Sequence, residues 1–163
     1  MFQLIKMAHI HLTTFIEAPV KRVFDLTRSI SLHKITASAQ QEKAIAGVTT
    51  GLINYGESVT WQAKHLFKTR VLCTKITAMK STESFTDEMI QGDFKSFKHE
   101  HYFKAVSNGT IMIDVVDFES PYGITGEIFN KIYLTNYIAQ FLIKRNKIIK
   151  EYAETTKWKA ILN

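Results

Sequence analysis

Residues 94–119 read FKSFKHEHYFKAVSNGTIMIDVVDFE, and this stretch decides the class of fold. Phe97, His99, His101 and Phe103 alternate with Lys98, Glu100, Tyr102 and Lys104, the period of two that marks a strand. Asn108-Gly109 is a strong hairpin signal, and a type I′ turn there joins the strand Phe94–Ala105 to the strand Thr110–Phe118. A two-residue turn pairs Ser107 with Thr110, Phe103 with Asp114, His101 with Val116 and His99 with Phe118. Asp114 then lies diagonal to His101, within reach of a long side chain. Ile111, Ile113 and Val115 are also apolar and occupy the opposite face, so alternation alone leaves two choices of inward face.

The pattern extends outward from this hairpin. Within Glu57–Leu66, Val59, Trp61, Ala63 and His65 form one face and Ser58, Thr60, Gln62 and Lys64 the other. Lys68–Thr77 and Thr82–Gln91 are further strands, and Gly47, Gly51, Gly56 and Gly92 punctuate the run from about residue 38 to 119. At the N-terminal end, Ile10, Leu12, Thr14 and Ile16 alternate with His9, His11, Thr13 and Phe15, and Ala18-Pro19 stops that strand. Pro19 suits the first turn of a short helix carrying Val20, Val23, Phe24 and Thr27. Ser31 is read as the cap of a second short helix carrying Leu32, Ile35 and Thr36.

From about Thr125 to Thr156 the period changes to that of a helix. Ile128, Ile132, Ile138, Leu142 and Ile149 make an apolar stripe, widened by Phe129, Tyr133, Tyr137, Phe141, Ile148 and Tyr152. Glu127, Lys131, Gln140, Lys144, Lys147, Glu151 and Glu154 occupy the polar side, with Glu127 and Lys131 in the favourable i,i+4 order. At 1.5 Å per residue such a helix spans roughly 48 Å and needs a broad apolar partner, which the strands supply. The order of elements predicts an α+β fold: a curved, seven-stranded antiparallel sheet around a long C-terminal helix, with two short helices closing one end. A large curved sheet is not filled everywhere by one helix, so an internal cavity is expected.

Composition bounds the function. The 163 residues make one domain, 1–163, and the 45% hydrophobic and 22% charged content excludes wholesale disorder. No run of eighteen apolar residues is present, so no membrane span is expected. The opening MFQLIKMAHIHLTTF lacks a continuous apolar core and a cleavage site, so it does not read as a signal peptide. The single Cys73 forms no internal disulfide and is read as a structural small hydrophobe; a cytoplasmic location is the default expectation. The net charge of +6 favours acidic partners, but it is spread thinly. Its densest segment, Lys144-Arg145-Asn146-Lys147 with Lys150, is read as a solvated helix face, and no nucleic-acid partner is expected.

Phe15-Ile16-Glu17-Ala18-Pro19 with Val23-Phe24, and Gly56–His65, resemble the START/Bet v 1-like (SRPBCC) helix-grip superfamily, closest to its bacterial polyketide cyclase/dehydrase-like branch. His99–Phe103, Asn108-Gly109-Thr110 and Ser120-Pro121-Tyr122-Gly123 strengthen the likeness, which covers essentially the whole chain. The resemblance implies a cavity between sheet and helix that takes a hydrophobic or amphipathic small molecule. It leaves enzyme against carrier open, because one fold hosts many functions. The sparse Gly47, Gly51 and Gly56 depart from the dense glycine loop of the plant relatives and do not form a phosphate loop.

The candidate site follows from the faces. Trp61, Phe97, Phe103, Phe118, Tyr133, Tyr137 and Phe141 are expected to supply an apolar wall, and His65, His99 and His101 its polar orientation, with Asp114 as partner of His101. His9 and His11 are expected to face solvent and His33 to pack locally. His-x-His with Asp114 has the look of a metal site, but such sites need three or four ligands and His65 lies on a distant strand. No metal and no cofactor are therefore expected. Asp114, Asp117 and Glu119 lie along one strand and Asp87-Glu88 on another, without a spacing that dictates acid–base work. The competing reading is a protein-interaction module, an Hsp90-cochaperone-like relative with a filled core and an exposed apolar patch. The ligand and the oligomeric state are not legible.

Overall fold

The computed structural model describes residues 7–65, 67–120 and 133–163. In chain order these form β1 (Ala8–Ile16), α1 (Val20–Thr27), α2 (Ile30–Thr36), β2 (Lys43–Gly47), β3 (Ser58–His65), β4 (Lys68–Lys80), β5 (Ser84–Gln91), β6 (Ser96–Val106), β7 (Gly109–Glu119), α3 (Thr135–Glu154) and α4 (Lys159–Leu162). The strands make one seven-stranded sheet in the order β1-β7-β6-β5-β4-β3-β2, every neighbouring pair antiparallel. Register shifts at Ala44/Ala46, Cys73/Thr74 and Ile76/Ala78 bend the strands, as bulges do. This is the α+β helix-grip arrangement expected from the order of periods. No helix among the described residues is long and apolar enough to cross a membrane.

Alternation fixes the inward face. On β7, Thr110, Met112, Asp114, Val116 and Phe118 are buried, while Ile111, Ile113 and Val115 are only partly covered. On β6 the same face carries His99, His101 and Phe103, and on β3 it carries Val59, Trp61 and Ala63. Lys64 lies exposed on the other side of β3, as its alternation requires. His9 and His11 are exposed.

The β6–β7 hairpin differs from its sequence reading by two residues. Val106 pairs with Gly109, Phe103 with Met112, His101 with Asp114 and His99 with Val116, so the loop is Ser107-Asn108. A shift of two preserves every face and slides partners along it. Neither Ser107 nor Asn108 has positive φ, so the turn is not type I′. Gly109 is required for a different reason: a Cβ there would meet the Ile16 carbonyl oxygen at 2.3 Å, where β1 closes on β7.

Two helix assignments also move. Ser29, not Ser31, caps α2: its hydroxyl accepts the Leu32 N–H at 3.2 Å, and Ser31 instead accepts from Gly51 N–H. The long helix runs unbroken from Thr135 through Asn136 to Glu154, two residues short of the expected end. Residues 1–6, Leu66 and residues 121–132 lie outside the described residues. With them lie Pro121, Tyr122 and Gly123 and the expected first turns of the helix, including Glu127, Ile128, Phe129, Lys131 and Ile132.

Two apolar clusters join helices and sheet. In one, Ile149 and Ala153 of α3 pack with Ile16, Phe24, Phe103 and Met112; in the other, Leu134 and Leu142 pack with Ile10, Val116 and Phe118. The hairpin geometry is directly testable. Gly109→Ala should lower stability by about 1–3 kcal/mol through overpacking, whereas Asn108→Ala should change it by less than about 0.5 kcal/mol. Urea denaturation of both variants checks this, and a large loss at Asn108 would restore the type I′ reading.

Candidate functional site

A cavity of about 660 Å³ lies between the inward face of the sheet and α3. Trp61, Ile76, Phe85, Phe97, Phe141 and Leu142 supply much of its apolar wall. Its polar lining includes His33, His65, Asp87, His99, His101 and Arg145.

The sequence candidates divide in two. Trp61, His65, Phe97, His99, His101, Tyr137 and Phe141 line the cavity. Phe103, Phe118, Asp114 and Tyr133 are not part of its lining. Phe103 belongs to the packed cluster beside it, edge-on to Phe24 at 5.3 Å. Phe118 is covered by Phe94 and Phe97. Asp114 lies behind the two histidines, and Tyr133 stacks on Tyr137 with half its surface exposed. His33 does pack locally, against Trp61 with ring centroids 4.2 Å apart and within 3.2 Å of Glu42, yet it also faces the cavity.

The polar end is built by register. Asp87 of β5 sits directly opposite His99 of β6, and Asp114 of β7 directly opposite His101. His99 and His101 are two apart on one strand, so both rings project inward, with centroids 3.7 Å apart. An ionised carboxylate only accepts hydrogen bonds, so each imidazole donates. His99 Nε2 donates to Asp114 Oδ1 at 2.8 Å, and His101 Nε2 donates to Asp87 Oδ2 at 3.0 Å. His101 Nδ1 also lies 3.1 Å from Asp114 Oδ1 but makes no hydrogen bond. Phe85 stacks on the His101 ring at 4.1 Å and holds its plane.

From the helix side come Arg145 and Asn146, both buried although the sequence placed them on a solvated basic face. Asn146 Nδ2 donates to Asp114 Oδ2 at 2.7 Å. Arg145 Nη2 donates to the Thr27 carbonyl at 3.1 Å, and its Nη1 stands 3.6 Å from Asp114 Oδ1. The misreading has a simple cause. A four-residue polar run covers more than a full helical turn, so part of it must face inward once the helix is gripped on several sides. A second polar contact lies along the wall, where His65 Nδ1 meets Tyr137 Oη at 2.8 Å.

Electrostatics follow from burial and partners. Burial works against ionisation of Asp114, but the close approach of the His101 ring and the hydrogen bond from His99 outweigh it and hold the carboxyl well below its usual range. Asp87 is lowered in the same way: burial opposes, and the His101 hydrogen bond, both imidazoles and Arg145 prevail. Burial, aided by the charge of His101, lowers His99 to about 4 despite its bond to Asp114. Burial likewise lowers His65, which Arg70 reinforces and Glu42 opposes. Tyr137 is raised by burial and by its neighbours Tyr133 and Glu42.

No protein-family model matches the sequence, and no curated protein matches it. Solved structures do. A major latex-like protein of Panax ginseng superposes with a TM-score of 0.68 at 15% identity, covering 91% of this chain and 99% of that one. An aromatase/cyclase from a Streptomyces species superposes with a TM-score of 0.73 at 9% identity, covering 91% and 94%. A Thermus thermophilus protein gives 0.68 at 15% identity, covering 86% and 96%. The chain therefore has the fold that its sequence resembles, the helix grip of the START/Bet v 1-like superfamily, and at these identities the likeness extends to the fold alone.

The histidine shifts carry a pH dependence. A histidine whose folded pKa lies below its unfolded value of 6.5 takes its proton preferentially in the unfolded state, so stability falls as pH drops from about 6.5 toward 4. In chelator-containing buffer, going from pH 7 to pH 5 should cost about 2 kcal/mol through His99 alone. Urea midpoints at the two pH values check this, and His99→Gln should flatten most of the slope. A stability independent of pH across this range would show that His99 is not held neutral.

Proposed function

We propose that the protein binds a hydrophobic or aromatic small molecule in the cavity between sheet and long helix, with its polar groups directed at the His99–His101–Asp87 end. The observation that carries this reading is the cavity itself. At about 660 Å³ it falls within the roughly 300–1,000 Å³ usual for small-molecule sites. It combines a wall of Trp61, Phe85, Phe97 and Phe141 with a polar cluster of Asp87, His99, His101 and Arg145. A protein-interaction module would need a filled core at this position, so the cavity favours the ligand-binding reading.

One feature supports a catalytic role in the same site, of the cyclase or dehydratase kind. Imidazoles held by a buried and a partly buried carboxylate at an apolar wall can move protons to and from a bound carbonyl compound, the task of a general acid or base. Binding without turnover uses the same groups for orientation. The superposed aromatase/cyclase adds fold-level analogy to the catalytic reading and no residue correspondence.

Extraction of the purified protein followed by mass spectrometry should identify a retained apolar compound, and a hydrophobic fluorescent probe should bind one per chain. Ala63 lines the cavity on β3, and Ala63→Trp should fill it and weaken the probe by at least about tenfold, or roughly 1.4 kcal/mol. Unchanged probe affinity in a folded Ala63→Trp variant would place the binding elsewhere.

A further inference from the structure

We propose that Asp87, His99 and His101 form a binding site for one divalent transition-metal ion of the zinc or cobalt type, with its remaining coordination positions open to the cavity. The three residues offer ligand atoms within 4.8 Å of one another, and all three line the cavity. Two imidazoles and one carboxylate are a donor set that suits such ions, and three protein ligands leave a position for water or for an oxygen of a bound molecule.

The local geometry accommodates an ion as well as it does a hydrogen-bond network. His99 gives its Nε2 proton to Asp114, which leaves Nδ1 with a free lone pair. Metal-binding histidines are commonly held this way, with the far ring nitrogen donating to a carboxylate. His101 Nε2 and Asp87 Oδ2 are 3.0 Å apart. Two ligands each about 2.0–2.1 Å from one ion stand about 2.9–3.4 Å apart, so an ion can replace the proton between them. The His101 ring then carries its proton on Nδ1, which lies 3.1 Å from Asp114 Oδ1 and has no hydrogen-bond partner among the described residues. One carboxylate, Asp114, would thus orient both imidazoles from behind, itself fixed by Asn146.

Charge points the same way. Asp87 and Asp114 bring two negative charges to a buried cluster in which Arg145 is the fixed cation that acts on Asp87. These three groups sum to one negative charge, which favours a cation at the cluster. Arg145 carries no lone pair, so it does not compete for the ion.

This site stands on the cluster geometry and not on the identity of any organic ligand, so it is tested without one. Chelator-treated protein is titrated with Zn2+ by calorimetry and with Co2+ by visible absorption, while imidazole 15N signals are followed by NMR in the wild-type chain. His9 and His11 form an exposed histidine pair on β1, His9 being bonded to Asp117, and serve as the surface control. The expected result is one ion per chain, shifts at His99 and His101, unchanged binding in His9→Ala/His11→Ala, and at least about tenfold weaker binding in Asp87→Asn. The NMR reading decides the matter if Asp87→Asn fails to fold. No binding by the wild type overturns the proposal. So does binding that disappears in His9→Ala/His11→Ala, survives in Asp87→Asn, or shifts only His9 and His11.

Discussion

One buried carboxylate ties the sheet to its helix. Asp114 has no solvent exposure, and its partners come from two structural layers: His99 and His101 from the neighbouring strand, Asn146 and Arg145 from α3. A buried charge is tolerated only when hydrogen bonds and opposite charge replace its lost hydration. Removing one partner of such a set typically costs about 3–5 kcal/mol, because the rest are left uncompensated. The position of α3 along the sheet is thereby specified more sharply than apolar packing alone would specify it, since apolar contacts slide at little cost and directed bonds do not.

The same network explains why the core is divided. Along β7, Met112 belongs to one apolar cluster and Val116 and Phe118 to the other, with Asp114 between them. Along α3, Ile149 and Ala153 face the first cluster and Leu142 the second, with Arg145 and Asn146 between. A polar belt therefore crosses the interior, and the cavity reaches it through Asp87, His99, His101 and Arg145. Apolar wall and polar end are consequences of one strand-to-helix registration. A molecule entering this space would meet carbon over most of its surface, this polar belt, and the His65–Tyr137 pair along the wall.

Much of the fold was legible because period two and period 3.6 are local signals. Strand faces at Trp61, His99, His101 and Asp114 follow from alternation, and they survived a two-residue error in hairpin register because faces repeat every two residues. What that error hid was partnership: His101 faces Asp114 directly, not diagonally. The Asp87–His99 pairing was invisible for a related reason. It depends on the register between β5 and β6, whose intervening loop carries no turn motif that fixes a count. Arg145 and Asn146 were missed because a polar run on a helix normally marks the solvent side, and only the tertiary grip turns part of it inward. Trp61, Phe97 and Phe141 reach the cavity as their faces implied, while Phe103 and Phe118 share the face but are covered by neighbouring rings, a distinction that periodicity does not encode.

A double-mutant cycle between Asp114 and Asn146 tests the central claim, that this carboxylate couples sheet to helix. Asp114→Asn, Asn146→Ala and the double variant are compared with the wild type by denaturant unfolding at neutral pH. The expected result is a coupling of about 0.5–3 kcal/mol, the range for residues sharing one buried network. A coupling below about 0.5 kcal/mol, as found for independent sites, would contradict it.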